Sequence, residues 1–188
     1  ESERASASVR SRIINAYRDV AARARASELI LAIHALPSLT LRSEDGENVL
    51  HVLAYFGRHD VLHEMRPPAS DASAMDKNGR TPLHLAAWAG KKAVVCELLN
   101  IGVDPLSRDK YGATALHVAV HKRRWNVVEE LLRWDGATCA QTAEGETAIH
   151  MLARVRRPKT FRQALAHTND IDCRDGLGRT ALHFAVEQ

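Results

Sequence analysis

A histidine recurs every 33 residues. His51, His84, His117, His150 and His183 stand at equal spacing inside "NVLH", "TPLH", "TALH", "TAIH" and "TALH", so half of the ten histidines are one structural position seen five times. A self-similar period of this length fixes the architecture before any helix is assigned. Each period is one supersecondary unit that cannot bury its own apolar face and must stack on copies of itself. The units run 43–75, 76–108, 109–141 and 142–174, with a partial fifth over 175–188.

Each position in the period has a physical reading. A glycine stands fourth in all five units (Gly46, Gly79, Gly112, Gly145 and Gly178), where a tight turn with positive φ accepts little else, and marks a hairpin tip. Two residues on, Asn48, Thr81, Thr114, Thr147 or Thr180 is a good helix N-cap, and Pro82 holds the favoured first helical position in one unit. The histidine then falls third in the helix. There its backbone N–H can bond the capping oxygen and its ring can reach neighbouring loop backbone, which makes it structural rather than catalytic or metal-binding. A small-residue stretch such as "HLAAWAG" lets helices stack closely, and after a turn comes a second amphipathic helix such as "AVVCELLN" or "NVVEELLR". The expected fold is all-α with short hairpin loops.

The unit "DKNGRTPLHLAAWAGKKAVVCELLNIGVDPLSR" resembles an ankyrin repeat nearly position for position, and the resemblance extends over 43–188. Upstream, residues 1–42 lack the hairpin and histidine signature, yet "SELILAIH" sits 66 residues before "AVVCELLN", in the phase of a second helix. Residues 1–42 are therefore expected to form an N-terminal helical cap, a degenerate repeat. Some positions depart from the pattern. The glycine between the two helices, kept as Gly57 and Gly90, is Arg123 and Arg156 later, where a left-handed residue costs roughly 1 kcal/mol or forces another turn. The first unit ends in "RPPASDASAM", which predicts an irregular loop, and Gly136–Ala137 comes one residue late in the third.

Bulk properties narrow the class. At 45% hydrophobic the chain is too apolar to be disordered, its longest apolar run is about half a bilayer span, and "ESERASASVR" has no signal-peptide core. Cys96, Cys139 and Cys173 form an odd set without metal spacing, which suits a reducing, intracellular setting, cytoplasmic or nuclear. The net charge of +3 is carried by residues 1–42, seven Arg against four acids. Global charge thus does not indicate nucleic acid. His59 and His63 have helical metal spacing without a third ligand, and no phosphate loop, nucleophile elbow or acid–base carboxylate pair occurs, so neither an enzyme nor a cofactor is expected. The first residue is not Met and Gln188 halts the fifth unit after one helix, which reads as a fragment of a longer protein. The apolar side of "ALHFAV" is then expected to find a partner, a second copy included.

The resemblance implies non-enzymatic binding of a protein partner, as scaffold or adaptor, through hairpin tips and the exposed side of the first helices. On the tips those positions are Lys77, Asn78, Arg80, Lys110 and Tyr111, with Glu44, Asp45, Glu47, Glu144, Glu146, Leu177 and Arg179. On the helices they are Tyr55, Phe56, Trp88, His121, Lys122 and Arg154. Tyr55, Phe56, Trp88 and Tyr111 are a candidate anchor patch, because interface hot spots favour aromatics; the other reading is that Phe56 or Trp88 packs between adjacent helices. A basic column, Arg58, Lys91, Lys92, Lys122, Arg123, Arg124, Arg154, Arg156, Arg157 and Lys159, falls at the inter-helix turns. It could attract an acidic segment, nucleic acid or a phosphoinositide, or simply complement the helix dipoles. A further alternative is a regulatory segment of an enzyme or channel.

Overall fold

The computed structural model describes residues 2–35, 39, 41–134, 136–155, 157–168 and 171–186. It divides into two compact units, Glu1–Asp104 and Pro105–Gln188. The first holds α1 (Ser2–Arg23), α2 (Ala26–His34), α3 (Val49–Phe56), α4 (His59–Met65), α5 (Ala69–Ala72), α6 (Pro82–Ala89) and α7 (Lys92–Ile101). The second holds α8 (Ala115–His121), α9 (Trp125–Leu131), α10 (Ala148–Arg154), α11 (Pro158–Ala166) and α12 (Ala181–Val186).

Within the first unit α1, α3 and α6 pack side by side as an inner layer, and α2, α4 and α7 as an outer one. Leu50, Leu53, Val61, Leu62, Leu83, Ala86, Val94 and Leu98 are buried between them. Each fully buried Leu or Val contributes about 1.5–3 kcal/mol of transfer free energy. Within the second unit α8, α10 and α12 follow one another, α9 packs on α11, and Leu116, Val127, Val128, Leu131 and Leu152 form the core. Helix α1 therefore occupies an inner-helix place beside α3, with α2 beside α4.

The hairpins form as the glycines require. In each, the fourth-place glycine has φ between 72° and 79°. Neighbouring tips are joined by backbone: Lys77 N–H donates to Asp45 O, Ala143 N–H to Tyr111 O and Gly176 N–H to Glu144 O, each at 2.8 Å. The first residue of a unit closes its own hairpin. Asp76 Oδ1 accepts from the N–H groups of Asn78 (2.7 Å) and Arg80 (2.8 Å), and Asp109 and Asp175 repeat the arrangement. At Asp175 burial pushes the carboxyl up, but the Arg179 backbone N–H and guanidinium outweigh it and hold it below the ordinary value.

Two turns resolve the departures differently. Arg123 keeps the left-handed conformation at φ 56°, and Arg124 N–H still reaches Ala119 O at 2.8 Å, as Lys91 N–H reaches Ala86 O at 2.9 Å. After α10, by contrast, Val155 is extended (φ −101°, ψ 113°) and Pro158 starts α11, so that turn is rebuilt. The segment expected to be irregular contains a helical turn, α5, because Pro68 at its N-cap has the extended geometry that starts a helix (φ −63°, ψ 148°). Asn48 Nδ2 donates to the Asp71 carbonyl within it at 3.3 Å.

Candidate functional site

The repeated histidine organises the inner helices. Asn48, Thr81, Thr114 and Thr147 each form a capping box with the histidine three residues on. His51 Nδ1 accepts from Asn48 N–H at 3.2 Å, and Nε2 lies 2.9 Å from Arg80 O. A carbonyl can only accept, so Nε2 carries the proton and the ring is neutral. His150 does the same between Thr147 N–H (3.2 Å) and Arg179 O (3.0 Å). Burial pushes His51 and His117 down to about 4, and the Arg80 carbonyl only partly offsets this at His51. His117 Nε2 is buried and makes no well-formed hydrogen bond among the described residues, although the Glu146 and Ala140 carbonyls near the ring partly offset its burial. Among the described residues no three His, Cys, Asp or Glu side chains cluster as metal ligands, and His63 Nδ1 instead meets Glu97 Oε1 at 3.1 Å.

The same register places the aromatics. Tyr55 and Trp88 occupy equivalent positions near the ends of α3 and α6, one past the buried runs 49–54 and 82–87, and stay 46% and 41% exposed. Phe56 is half-buried and meets the Tyr55 ring edge-on, with centroids 5.3 Å apart. With Val52, Leu85 and His51 these three side chains line a cavity of 340 Å³. Its polar lining is Arg18, Glu47 and Arg80, with His51.

Arg18 is the residue that sequence reasoning missed. It stands 33 residues before His51 and, like the histidines, reaches the residue 29 further on, where its guanidinium pairs with the Glu47 carboxylate. Stepping the period back into α1 would have found it. Glu47, expected to be offered on a tip, is instead buried, because it lies between Arg18 and Arg80. Arg80 is also held by Asp76, at 2.7 Å.

Lys77 is exposed and Asn78 half-buried on the second tip. In the second unit Lys110 Nζ lies 4.9 Å over the exposed Tyr111 ring, His121 is exposed and Lys122, the C-cap of α8, is half-buried. Arg154 pairs with Glu146 at 2.8 Å and lines a groove of 390 Å³ with Glu144, Leu177 and Arg179.

Four of the ten residues of the basic column, Arg58, Lys91, Arg124 and Arg157, stand at helix N-cap positions. Arg25, Arg58, Lys91, Arg124 and Arg157 precede α2, α4, α7, α9 and α11. Arg58 reaches back to the end of α1, donating to Ala21 O (3.0 Å) and Ala24 O (2.8 Å), and pairs with Asp60, whose carboxyl it holds below the usual value. It is thus a structural cap, not an open cation. The Lys91 stem runs across Gly57, where an added Cβ would lie 2.8 Å from Cδ. The Arg157 guanidinium lies 4.6 Å over the Trp125 ring. Lys92, Arg123, Arg124 and Lys159 are exposed, and Arg156 lies outside the described residues.

No helix among the described residues is long and apolar enough to cross a membrane. A comparison with curated proteins returned no match. A family model described as ankyrin repeats, three copies, matches residues 20–109 and, overlapping it, 50–143. With the paired helices, the joined hairpins and the capping histidines already in view, this match over residues 20–143 of 188 settles the family: the chain belongs to the ankyrin-repeat proteins.

Proposed function

We propose that these repeats bind a protein partner, as ankyrin repeats generally do, and that the cavity beside α1, α3 and α6 is the main anchor. The observation that carries this reading is the convergence of Tyr55, Phe56 and Trp88 on one concavity. Exposed aromatics of this kind supply large contact area at low entropy cost and dominate interface energetics. The tip residues Lys77 and Asn78 would extend the contact within the same unit, and Lys110, Tyr111, His121, Lys122 and Arg154 offer a surface of their own in the second unit. Residues 1–42 act as the N-terminal cap of a repeat domain over 43–188, and through Arg18 they complete the polar lining of the cavity.

The test compares proteins retained at physiological salt by the wild-type chain, by Tyr55→Ala/Trp88→Ala and by Trp134→Ala. Trp134 is a control of similar exposure, at 40%. At least one protein should be lost from the double variant, with about tenfold weaker affinity, a change of about 1.4 kcal/mol, and kept by the control. Identical retention by all three chains would overturn the reading.

A second surface rests on a separate observation. Arg157 stacked on Trp125, with Arg123 and Lys159 exposed in the same unit, suits an acidic or phosphate-bearing ligand. Binding there should weaken steeply as salt rises, and a flat salt dependence would exclude it.

A further inference from the structure

We infer that the partner segment seated in the aromatic cavity carries a carboxylate beside an apolar side chain, with the carboxylate held by Arg18 and Arg80. This rests on the reading of the cavity as a partner site and adds the chemistry of what enters it.

The argument starts from an asymmetry among the charges at the cavity. The two acids are hidden, with the Glu47 side chain 9% exposed and that of Asp76 0%. The two cations are open, Arg18 at 44% and Arg80 at 30%. Three of the four acid oxygens are taken by the chain's own donors, and the fourth, Glu47 Oε1, stays buried 3.9 Å from Arg80 Nη2. Glu47 faces both guanidiniums, Asp76 Oδ1 accepts two backbone N–H groups, and Asp76 Oδ2 accepts Arg80 Nε at 2.7 Å. A guanidinium has five N–H donors. Arg80 uses Nε and Nη2 and Arg18 uses Nη2, which leaves Nη1 of both and Nε of Arg18 without a partner among the described residues.

An entering group therefore meets guanidinium donors and aromatic side chains lining the same cavity. A ligand ammonium or guanidinium would face two like charges with the acids buried. A neutral amide would leave its own N–H groups unanswered. A carboxylate fits, because it offers only acceptors and matches the planar guanidinium fork. The adjoining apolar side chain lies against Tyr55 and Trp88. At the tips, exposed Arg42 and Lys77 offset exposed Glu44 and Asp45, so the two guanidiniums decide the preference.

Internal octapeptides displayed on phage, random at all positions, are selected on the full chain, on Arg18→Gln and on Tyr55→Ala/Trp88→Ala. Peptides recovered on wild type should carry Asp or Glu close to Leu, Phe, Tyr or Trp more often than the unselected library. The same peptide, synthesised with its C-terminus amidated, should lose about tenfold in affinity when that acid becomes Gln. The loss should vanish on Arg18→Gln and persist on Arg18→Lys, which keeps the charge beside Glu47. Amidation removes the terminal carboxylate, so retained binding assigns the group to a side chain; binding that needs the free C-terminus would overturn that assignment. Recovery of apolar peptides without acidic preference, unchanged on Arg18→Gln, would overturn the inference while leaving the site. Equal recovery on the Tyr55/Trp88 variant, or no recovery on wild type, would remove the site itself.

Discussion

The His51 ring donates from Nε2 to the Arg80 carbonyl at 2.9 Å, and so ties the first turn of one inner helix to the base of the next hairpin. His150 and Arg179 repeat the relationship at 3.0 Å, whereas the same nitrogen of His117 makes no well-formed hydrogen bond among the described residues. Replacing His51 or His150 with Ala should cost about 2–3 kcal/mol, from the cap, the hydrogen bond and the Arg80 or Arg179 carbonyl left without it. His117→Ala should cost up to about 1 kcal/mol less, since its ring lies near the Glu146 carbonyl without a well-formed bond to it. Chemical denaturation of the three variants checks the ranking, and equal losses would contradict it.

The same burial sets a pH response. His51 and His117 have folded values near 4, below the unfolded value of about 6.5. Between these limits the unfolded chain binds protons that the folded chain refuses, so stability is full above about pH 6.5 and falls as the pH drops toward 4. Each histidine contributes about 1.4 kcal/mol per pH unit within that window. Urea midpoints measured from pH 7.5 to 5 should decline steadily; midpoints that hold constant down to pH 5 would show that these rings accept a proton in the fold.

Three backbone positions separate strain from space. Gly145 has φ 75°, and an added Cβ would lie 2.7 Å from Gly176 N, whereas Gly102 has φ 95° with nothing within 4 Å. Gly145→Ala should therefore destabilise by about 2 kcal/mol or more and Gly102→Ala by about 1 kcal/mol, the left-handed cost alone. Arg123→Gly relieves that cost and should raise stability by up to about 1 kcal/mol. Thermal melting of the set gives the order.

Arg58 and Lys159 test what the basic column is for. Arg58 holds two carbonyls at the end of α1, so Arg58→Ala should cost about 1–2 kcal/mol. Lys159 is exposed on α11, and Lys159→Ala should stay within about 0.5 kcal/mol of wild type. A stable Arg58→Ala protein would return that residue to the set of open cations.

Much of this was legible from the period alone. Glycine, cap and histidine each answer a local backbone demand, so "NGRTPLH" specifies its hairpin and helix start without knowing its neighbours. The aromatic pair was legible for the same reason, since Tyr55 and Trp88 share a register. What escaped was set by partners distant in sequence. Nothing near Glu47 announces that Arg18 will cover it, and "RRPK" does not reveal that Arg157 lies over Trp125. Whether a non-glycine residue would accept the left-handed turn was also undecided locally. Arg123 accepted it where Arg124 N–H could still close on Ala119 O, while Val155 went extended ahead of Pro158.

The tip-to-tip backbone bonds have a consequence for synthesis. Lys77 N–H to Asp45 O, Ala143 N–H to Tyr111 O and Gly176 N–H to Glu144 O each close a loop of the same length, and the Arg58 and histidine ties reach 29 to 37 residues. Closure entropy grows only with the logarithm of loop length, so each of these steps carries about the same modest cost. Within each compact unit, a chain leaving the ribosome can close these ties as soon as the next hairpin emerges, about one repeat behind translation.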